Sequence, residues 1–219
     1  MSPEQARLMT ALKESYGVKY NDGKASAFGG YPGQGHFENQ PRWARSALGL
    51  VGAYLQLQTS WPLRSLDVGC GRGTLVYWLR TLGVRAFGVD LGFDFAYAPA
   101  CAQANALQLP FGTKQFEMMS ALDLIEHVPA DLQTELFREL TRVTRGLILT
   151  TVPTLGPRYV FSSDAGPRNH YIVGTVQDWR DHFKGHGLTV VAEGDDLKVL
   201  GPPFDHGADN YPFALSGFA

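Results

Sequence analysis

LDVGCGRGTL, residues 66–75, decides how the rest of the chain is read. A short apolar run, LDV, enters three alternate glycines, Gly69, Gly71 and Gly73, and a helical pattern follows at once. Glycine admits left-handed backbone and lets a ligand come close to the main chain. A helix N-terminus directly behind such a loop favours negative charge. Strand, glycine loop and helix in that order therefore read as a ligand cradle, with a plain tight turn as the alternative. The spacing is GxGxG, not the GxGxxG of a dinucleotide fingerprint, because Thr74 holds the sixth position. No Lys-Ser or Lys-Thr follows, which argues against a nucleoside-triphosphate loop.

Outward from this loop the chain alternates strand and helix patterns. RSLDV (64–68) reads as a buried strand, and Leu75, Trp78, Leu79 and Leu82 form a helix face stopped by Gly83. VRAFGVD (84–90) is a second strand, ACAQANAL (100–107) holds a weak third, and QFEMMSAL (115–122) is a fourth. Asp131 is placed to cap a helix carrying Leu132, Leu136, Phe137, Leu140 and Val143. GLILTTV (146–152) is a fifth strand. Thr175 and Asp178 make a capping box for a helix with Val176, Trp179 and Phe183, ending near Gly185. LTVVAEG (188–194) is a sixth strand and YPFALSGFA (211–219) a seventh. Alternation of this kind implies an α/β fold with a mostly parallel sheet covered on both faces. Ligands of such sheets sit at the carboxyl ends of the strands.

Upstream, residues 3–15 suggest a short helix and Pro41 to about Gln58 another, with Trp43, Ala47, Leu50, Val51, Tyr54 and Leu57 in one stripe. Between them lies a long segment rich in glycine and aromatics, in which GGYPGQGHFENQPRW (29–43) is expected to act as a lid. The expected division is therefore 1–60, N-terminal helices and substrate-side lid, and 61–219, the ligand-binding α/β domain.

Composition narrows the function. The chain has 219 residues and a formal net charge of −2, with no run of Lys or Arg. Nucleic acid is not expected as a partner. Arg138, Arg142 and Arg145 recur at near-helical spacing and read as one solvated helix face. The two cysteines, Cys70 and Cys101, show no zinc spacing and read as free thiols of a reducing compartment. MSPEQARLMTALKES (1–15) does not read as a signal peptide, and no stretch approaches the roughly 18 apolar residues of a spanning helix. A cytoplasmic protein without membrane or metal is the expectation; oligomeric state is not legible.

Three further features lie at strand ends. Asp90 closes FGVD beside the loop, where a carboxylate can accept both hydroxyls of a ribose. Asn105, in NALQLPF (105–111), offers an amide to an adenine ring, with Ala106 and Leu107 as apolar contacts. SALDLIEHVP (120–129) follows the fourth strand.

As a set these motifs resemble the class I S-adenosylmethionine-dependent methyltransferases, small-molecule type. LDVGCGRG looks like the family's first motif, GVD like the acidic end of its second strand, and ANALQLPF like its adenine-side segment. ALDLIEHV and LILTTVP look like its fourth-strand and fifth-strand ends. The resemblance spans roughly residues 60–195. It implies a Rossmann-like seven-stranded sheet in the order 3-2-1-4-5-7-6 with the seventh strand antiparallel, and S-adenosylmethionine as cofactor. It implies that Asp90 holds the ribose, Gly69 and Gly71 back the methionine part, and Asn105 and Ala106 flank adenine. Asp67 would orient the loop or meet the ammonium through water; Cys70, Gly73, Leu91 and Leu122 complete the set. Two positions depart from the pattern: Asn105 stands where Asp is frequent, and Glu117 replaces the usual Asp after Phe116.

Methyl transfer is an in-line displacement on a group the cofactor has already activated. Alignment supplies about 7–11 kcal/mol, and a general base about 3–5 kcal/mol more. Candidate catalytic residues are His170, in GPRNHYIV, then His127 and Asp123; His36 is a remote fourth, while His182 and His186 are expected to face solvent. No Asn-Pro-Pro-Tyr or Asp-Pro-Pro-Tyr follows the fourth strand, which favours a small-molecule acceptor over a nucleobase or glutamine amide. The acceptor atom is oxygen or nitrogen, and a faint likeness of residues 156–188 to polysaccharide and natural-product enzymes suggests a sugar or natural product. The alternative is a partner-binding protein that keeps the fold without catalysis. A nicotinamide oxidoreductase is disfavoured by Thr74, and an aminopropyl transferase by the shortage of acids beyond Asp123 and Glu126.

Overall fold

The computed structural model describes residues 64–92, 99–154, 160–161, 170–198 and 210–217, together with helical positions 49, 51, 52 and 54. The helix expected over residues 3–15, the lid segment 29–43 and His36 lie outside the described residues. So does most of segment 156–169.

Nine strands and four helices follow in chain order among the described residues: β1 (Arg64–Val68), α1 (Thr74–Thr81), β2 (Arg85–Asp90), β3 (Cys101–Gln103), β4 (Phe116–Leu122), α2 (Gln133–Val143), β5 (Thr144–Pro153), β6 (Val160–Phe161), β7 (Ile172–Val173), α3 (Val176–Gly185), β8 (Thr189–Glu193), α4 (Asp195–Lys198) and β9 (Asn210–Ser216). Seven strands form one sheet in the order β3-β2-β1-β4-β5-β9-β8, while β6 and β7 pair apart as an antiparallel ribbon. With that ribbon set aside, the order is the expected 3-2-1-4-5-7-6. Strands β1 to β5 are parallel to one another, and β9 runs antiparallel to both β5 and β8.

The central strands are apolar runs because both sheet faces are covered. Every residue of β4 is buried. Leu66, Val68, Met119, Ile148 and Phe213 point to one core, shared with Leu136, Phe137 and Leu140 of α2 and Trp179 and Phe183 of α3. Met118, Leu147, Leu149 and Ala214 point to the other, shared with Leu75, Val76 and Leu79 of α1 and with Tyr54. Each fully buried side chain of this size contributes about 1.5–3 kcal/mol relative to exposure. Trp179 Nε1 donates to the Pro153 carbonyl at 2.9 Å, which ties α3 to the end of β5.

The helix termini separate local from tertiary control. The Thr175–Asp178 capping box forms with both reciprocal bonds, and Gly83 turns left-handed at φ 83°. Asp131 does not cap. A single 3₁₀ turn, Ala130–Leu132, precedes α2, and Leu132 occupies the N-cap without a side-chain bond. The arginine face is also not simply solvated. Arg142 pairs with Glu139 at 2.7 Å and donates to the Phe111 and Leu109 carbonyls, and Arg145 pairs with Glu117. Glu117 also accepts from the Arg64 amide at 2.7 Å, at the amino ends of the strands. It therefore faces away from the glycine loop. Among the described residues no helix is long and apolar enough to cross a membrane.

His182 departs most from the sequence reading. It is buried, 8 % exposed, its ring against Phe137, Trp179 and His186. Burial pushes its pKa down to about 3, with His186 adding in the same direction. The folded state thus binds fewer protons than the unfolded state between that value and the ordinary 6.5. This contribution is complete above about pH 6.5 and is lost on acidification. Denaturant titrations at pH 7 and pH 5 should show the wild type losing roughly 2 kcal/mol more than His182→Phe over that interval. Equal losses would show that His182 titrates normally.

Candidate functional site

The carboxyl edge of the sheet carries the loop after β1, the turn after β2, the Asn105 turn after β3 and the 3₁₀ turn Ile125–His127 after β4. Gly69, Gly71 and Gly73 take φ of 78°, 52° and 80°, so all three glycines are left-handed. Two consecutive amides, Gly69 and Cys70, donate to the Val89 carbonyl at 2.8 and 3.0 Å. The Gly71 amide donates to Asp90 Oδ2 at 2.8 Å, and the Gly92 amide to Asp90 Oδ1 at 2.7 Å. Asp90 therefore stands beside the loop as expected. Each oxygen accepts one amide and keeps lone-pair capacity for a further donor. Burial raises its pKa, opposed by these backbone bonds.

Asp67 is buried on β1 and accepts from Ser120 Oγ at 2.6 Å. Burial pushes its carboxyl up to about 7; the Ser120 bond pulls it down and the Asp90 charge pushes it up. The Asn105 oxygen accepts from the Leu107 amide at 2.9 Å, so it caps its own turn. Ala106 and Leu107 are half-buried against the core, as is Leu91, and Leu122 closes β4 nearly fully buried.

The sequence did not pair the cysteines, yet both thiols converge over Gly88. A Cβ placed at Gly88 would lie 2.7 Å from Cys101 Sγ and 2.8 Å from both Cys70 Sγ and Val76 Cγ2. The contact with Cys101 pushes the Cys70 thiol up, and burial adds to it. Gly88 is thus required by close approach and not by backbone conformation.

The second half of the site follows β4. Asp123 takes φ of 50°, a region that few non-glycine residues occupy. Its Oδ1 accepts from Thr151 Oγ1 at 2.7 Å and its amide donates to that oxygen at 3.1 Å, so β5 clamps the turn. Leu124 packs under the loop, its Cδ1 3.1 Å from where a Gly69 Cβ would stand. Gln133, fully buried, donates to the Ile125 and Val128 carbonyls at 2.8 and 2.7 Å and so brackets Glu126 and His127. The Tyr171 amide donates to the Glu126 carbonyl at 2.8 Å, which brings the preceding residue, His170, to the same place. The His127 and His170 rings meet edge to face with centroids 4.8 Å apart. One ligand-type atom from each of Glu126, His127 and His170 lies within 4.8 Å of the others. Burial pushes the Glu126 carboxyl well above its usual range, and the Asp123 charge acts in the same direction.

All three candidate catalytic residues, His170, His127 and Asp123, thus fall at one edge beside the glycine loop. Glu126 and Gln133 were missed as site residues. An acid and an amide near an apolar run give no sign of being buried, and only the fold brings residue 170 to residue 126.

Residues 66–147 match a family model described as a methyltransferase domain. That match runs from β1 into β5. A ubiquinone biosynthesis O-methyltransferase of Pseudomonas entomophila is 32% identical over 79 residues, covering 29% of this chain and 33% of that protein. The chain therefore spans about a third of the length of the curated relative it matches. Among solved structures, the 1,6-didemethyltoxoflavin-N1-methyltransferase of Burkholderia thailandensis, with 1,6-didemethyltoxoflavin and S-adenosylhomocysteine bound, shares the fold. Its TM-score is 0.67 at 18% identity, covering 98% of this chain and 90% of that one. The magnesium protoporphyrin IX methyltransferase of Synechocystis PCC 6803, with S-adenosylmethionine bound, gives 0.62 at 15% identity, covering 94% and 95%.

Gly88→Ala forces a methyl group into the space of two thiols and a valine. Its expected cost is about 1–3 kcal/mol, as for other overpacked cores. Chemical denaturation checks this; an unchanged midpoint would mean that the β2–α1 contact is looser than described.

Proposed function

We propose that the chain transfers the methyl group of S-adenosylmethionine to an oxygen or nitrogen of a small molecule by in-line displacement. The observation that carries this reading is the glycine loop held to β2 by the Val89 carbonyl and the Asp90 carboxylate. That arrangement leaves left-handed glycines facing the strand ends with an acid alongside.

In this reading Asp90 accepts the ribose hydroxyls with its remaining lone pairs. Gly69, Cys70, Gly71 and Gly73 back the methionine part, and Asp67 lies below it to balance the ammonium through water. Asn105, Ala106 and Leu91 border the adenine, with Leu122 at the floor. The cofactor supplies the activated methyl, so the chain's main contribution is alignment, about 7–11 kcal/mol. Asp123, His127 and His170 line the acceptor side and handle its proton. An oxygen acceptor is supported by the similarity to the ubiquinone biosynthesis O-methyltransferase and a nitrogen acceptor by the fold shared with the 1,6-didemethyltoxoflavin-N1-methyltransferase. A sugar or natural product is the acceptor class kept from the sequence. The N-terminal segment, residues 1–60, is assigned the lid role and residues 61–219 the cofactor domain. A cytoplasmic location is part of this proposal.

Calorimetric titration with S-adenosylmethionine and, separately, NAD tests the reading. Saturable binding of the first alone is expected. Asp90→Ala should weaken it by at least about tenfold, the loss of roughly 1.4 kcal/mol or more from charge-assisted bonds. NAD binding, or undiminished binding by Asp90→Ala, would contradict the reading.

A further inference from the structure

β4 carries two polar side chains in an otherwise apolar strand, Glu117 and Ser120. Glu117 meets Arg145 and the Arg64 amide at the amino end of the sheet. Ser120 is fully buried toward the carboxyl end, and the β1–β4 register sets it opposite Asp67. We propose that Ser120 is a positioning residue of the methyl-donor site: its hydroxyl holds the Asp67 carboxylate ionised beneath the glycine loop, so that the loop takes a ligand bearing an α-ammonium group. This deepens the methyl-transfer reading and rests on it.

The geometry comes first. Ser120 Oγ donates to Asp67 Oδ1 at 2.6 Å, a length typical of a hydroxyl on an ionised oxygen. A buried hydroxyl is costly unless bonded, and this one gives its single proton to Asp67. Asp67 is 5 % exposed and stands two residues before Gly69, where the loop turns left-handed. Among the described residues Ser120 is its only hydrogen-bond donor. The bond joins neighbouring strands of a buried sheet, so its two ends cannot drift apart.

The groups around Asp67 act on its charge in opposite directions. Burial pushes its carboxyl up to about 7; Ser120 opposes this, and Asp90 at the end of β2 reinforces it. The Cys70 thiol in the loop is itself pushed up, first by its contact with Cys101 and then by burial, so it stays neutral beside the carboxylate. Arg64 lies over the Phe116 ring, and Arg80 of α1 donates to the Ala86 carbonyl at 3.0 Å. Neither of them, nor Arg72 of the loop, pulls the Asp67 carboxyl down. Among the described residues Ser120 alone favours the ionised form. An ionised Asp67 balances the ligand's ammonium and a protonated one does not, so affinity falls as pH drops through 7. With the hydroxyl removed the carboxyl keeps its proton to a higher pH, by about one unit for the loss of a bond to a charged group.

Calorimetric titration of wild type, Ser120→Ala and Asp67→Asn with S-adenosylmethionine at pH 6, 7 and 8 tests this. Ser120→Ala should bind about three- to fivefold more weakly than wild type at pH 7, and the gap should narrow to within about twofold at pH 8. Asp67→Asn keeps the shape and the Ser120 bond but cannot ionise. The wild type's advantage over it should shrink about fivefold from pH 8 to pH 6, and adding Ser120→Ala to Asp67→Asn should change nothing further with pH. The ligand's own titration is common to all the proteins and cancels in their ratios. 5′-Methylthioadenosine, which has the adenosine and sulfur but no ammonium, should bind wild type and Ser120→Ala alike at each pH. A ratio between wild type and Ser120→Ala that stays constant with pH marks a merely structural hydroxyl and overturns the proposal. An equal effect on 5′-methylthioadenosine overturns it too. If Ser120→Ala fails to fold, Asp67→Asn decides: an advantage of wild type that does not change with pH overturns the proposal. No S-adenosylmethionine bound by wild type at any pH defeats the methyl-transfer reading and this inference with it, whereas binding with parallel pH profiles defeats the inference alone.

Discussion

Everything at the carboxyl edge depends on how the first loop is fastened to the second strand. The Val89 carbonyl takes two successive amides, from Gly69 and Cys70, and Asp90 takes the Gly71 amide one residue further on. These bonds continue the parallel ladder that pairs Val68 with Val89. The loop is thus an extension of the sheet, and a buried sheet is rigid. A chain that turns back over its own ladder needs left-handed backbone at alternate positions, which glycine supplies at low steric cost. Substituting any of the three strains the backbone whatever the free space; at Gly71 a Cβ would meet nothing within 4 Å, yet φ is still 52°.

The same logic sets the other half of the site. Asp123 is held in a left-handed conformation by Thr151 of the neighbouring strand, so the turn after β4 cannot relax independently of β5. Strained residues of this kind persist only where their surroundings over-determine them. Gln133 and Tyr171 then fix the positions of Glu126, His127 and His170 from two different elements. Packed side chains and backbone bonds meet here because Gln133 of α2 and Tyr171, just before β7, both bond to the turn that follows β4.

Much of this was legible in the sequence, for physical reasons. Buried parallel strands read as apolar runs, and RSLDV, RAFGVD, FEMMSAL and GLILTTVP announce themselves. The loop spacing and the position of Asp90 gave the site's first half, and the Thr175–Asp178 box gave the start of α3. What was not legible depended on contacts distant in sequence. Asp131 looked like a cap, but a 3₁₀ turn took that place. His182 looked exposed on a polar helix and is instead enclosed by Phe137 and Trp179. The meeting of Cys70 with Cys101 follows from β3 pairing with β2, where Cys101 lies opposite Gly88. Glu126 carries no mark of burial in SALDLIEHVP.

The most direct measurement is a crystal structure of the protein grown with S-adenosylhomocysteine. The account predicts the ligand along the loop Gly69–Gly73, with both ribose hydroxyls on Asp90, adenine beside Asn105 and Ala106, and sulfur directed toward His127 and His170. A ligand held elsewhere, or a saturated crystal with the loop empty and Asp90 still engaged only by Gly71 and Gly92, would contradict it.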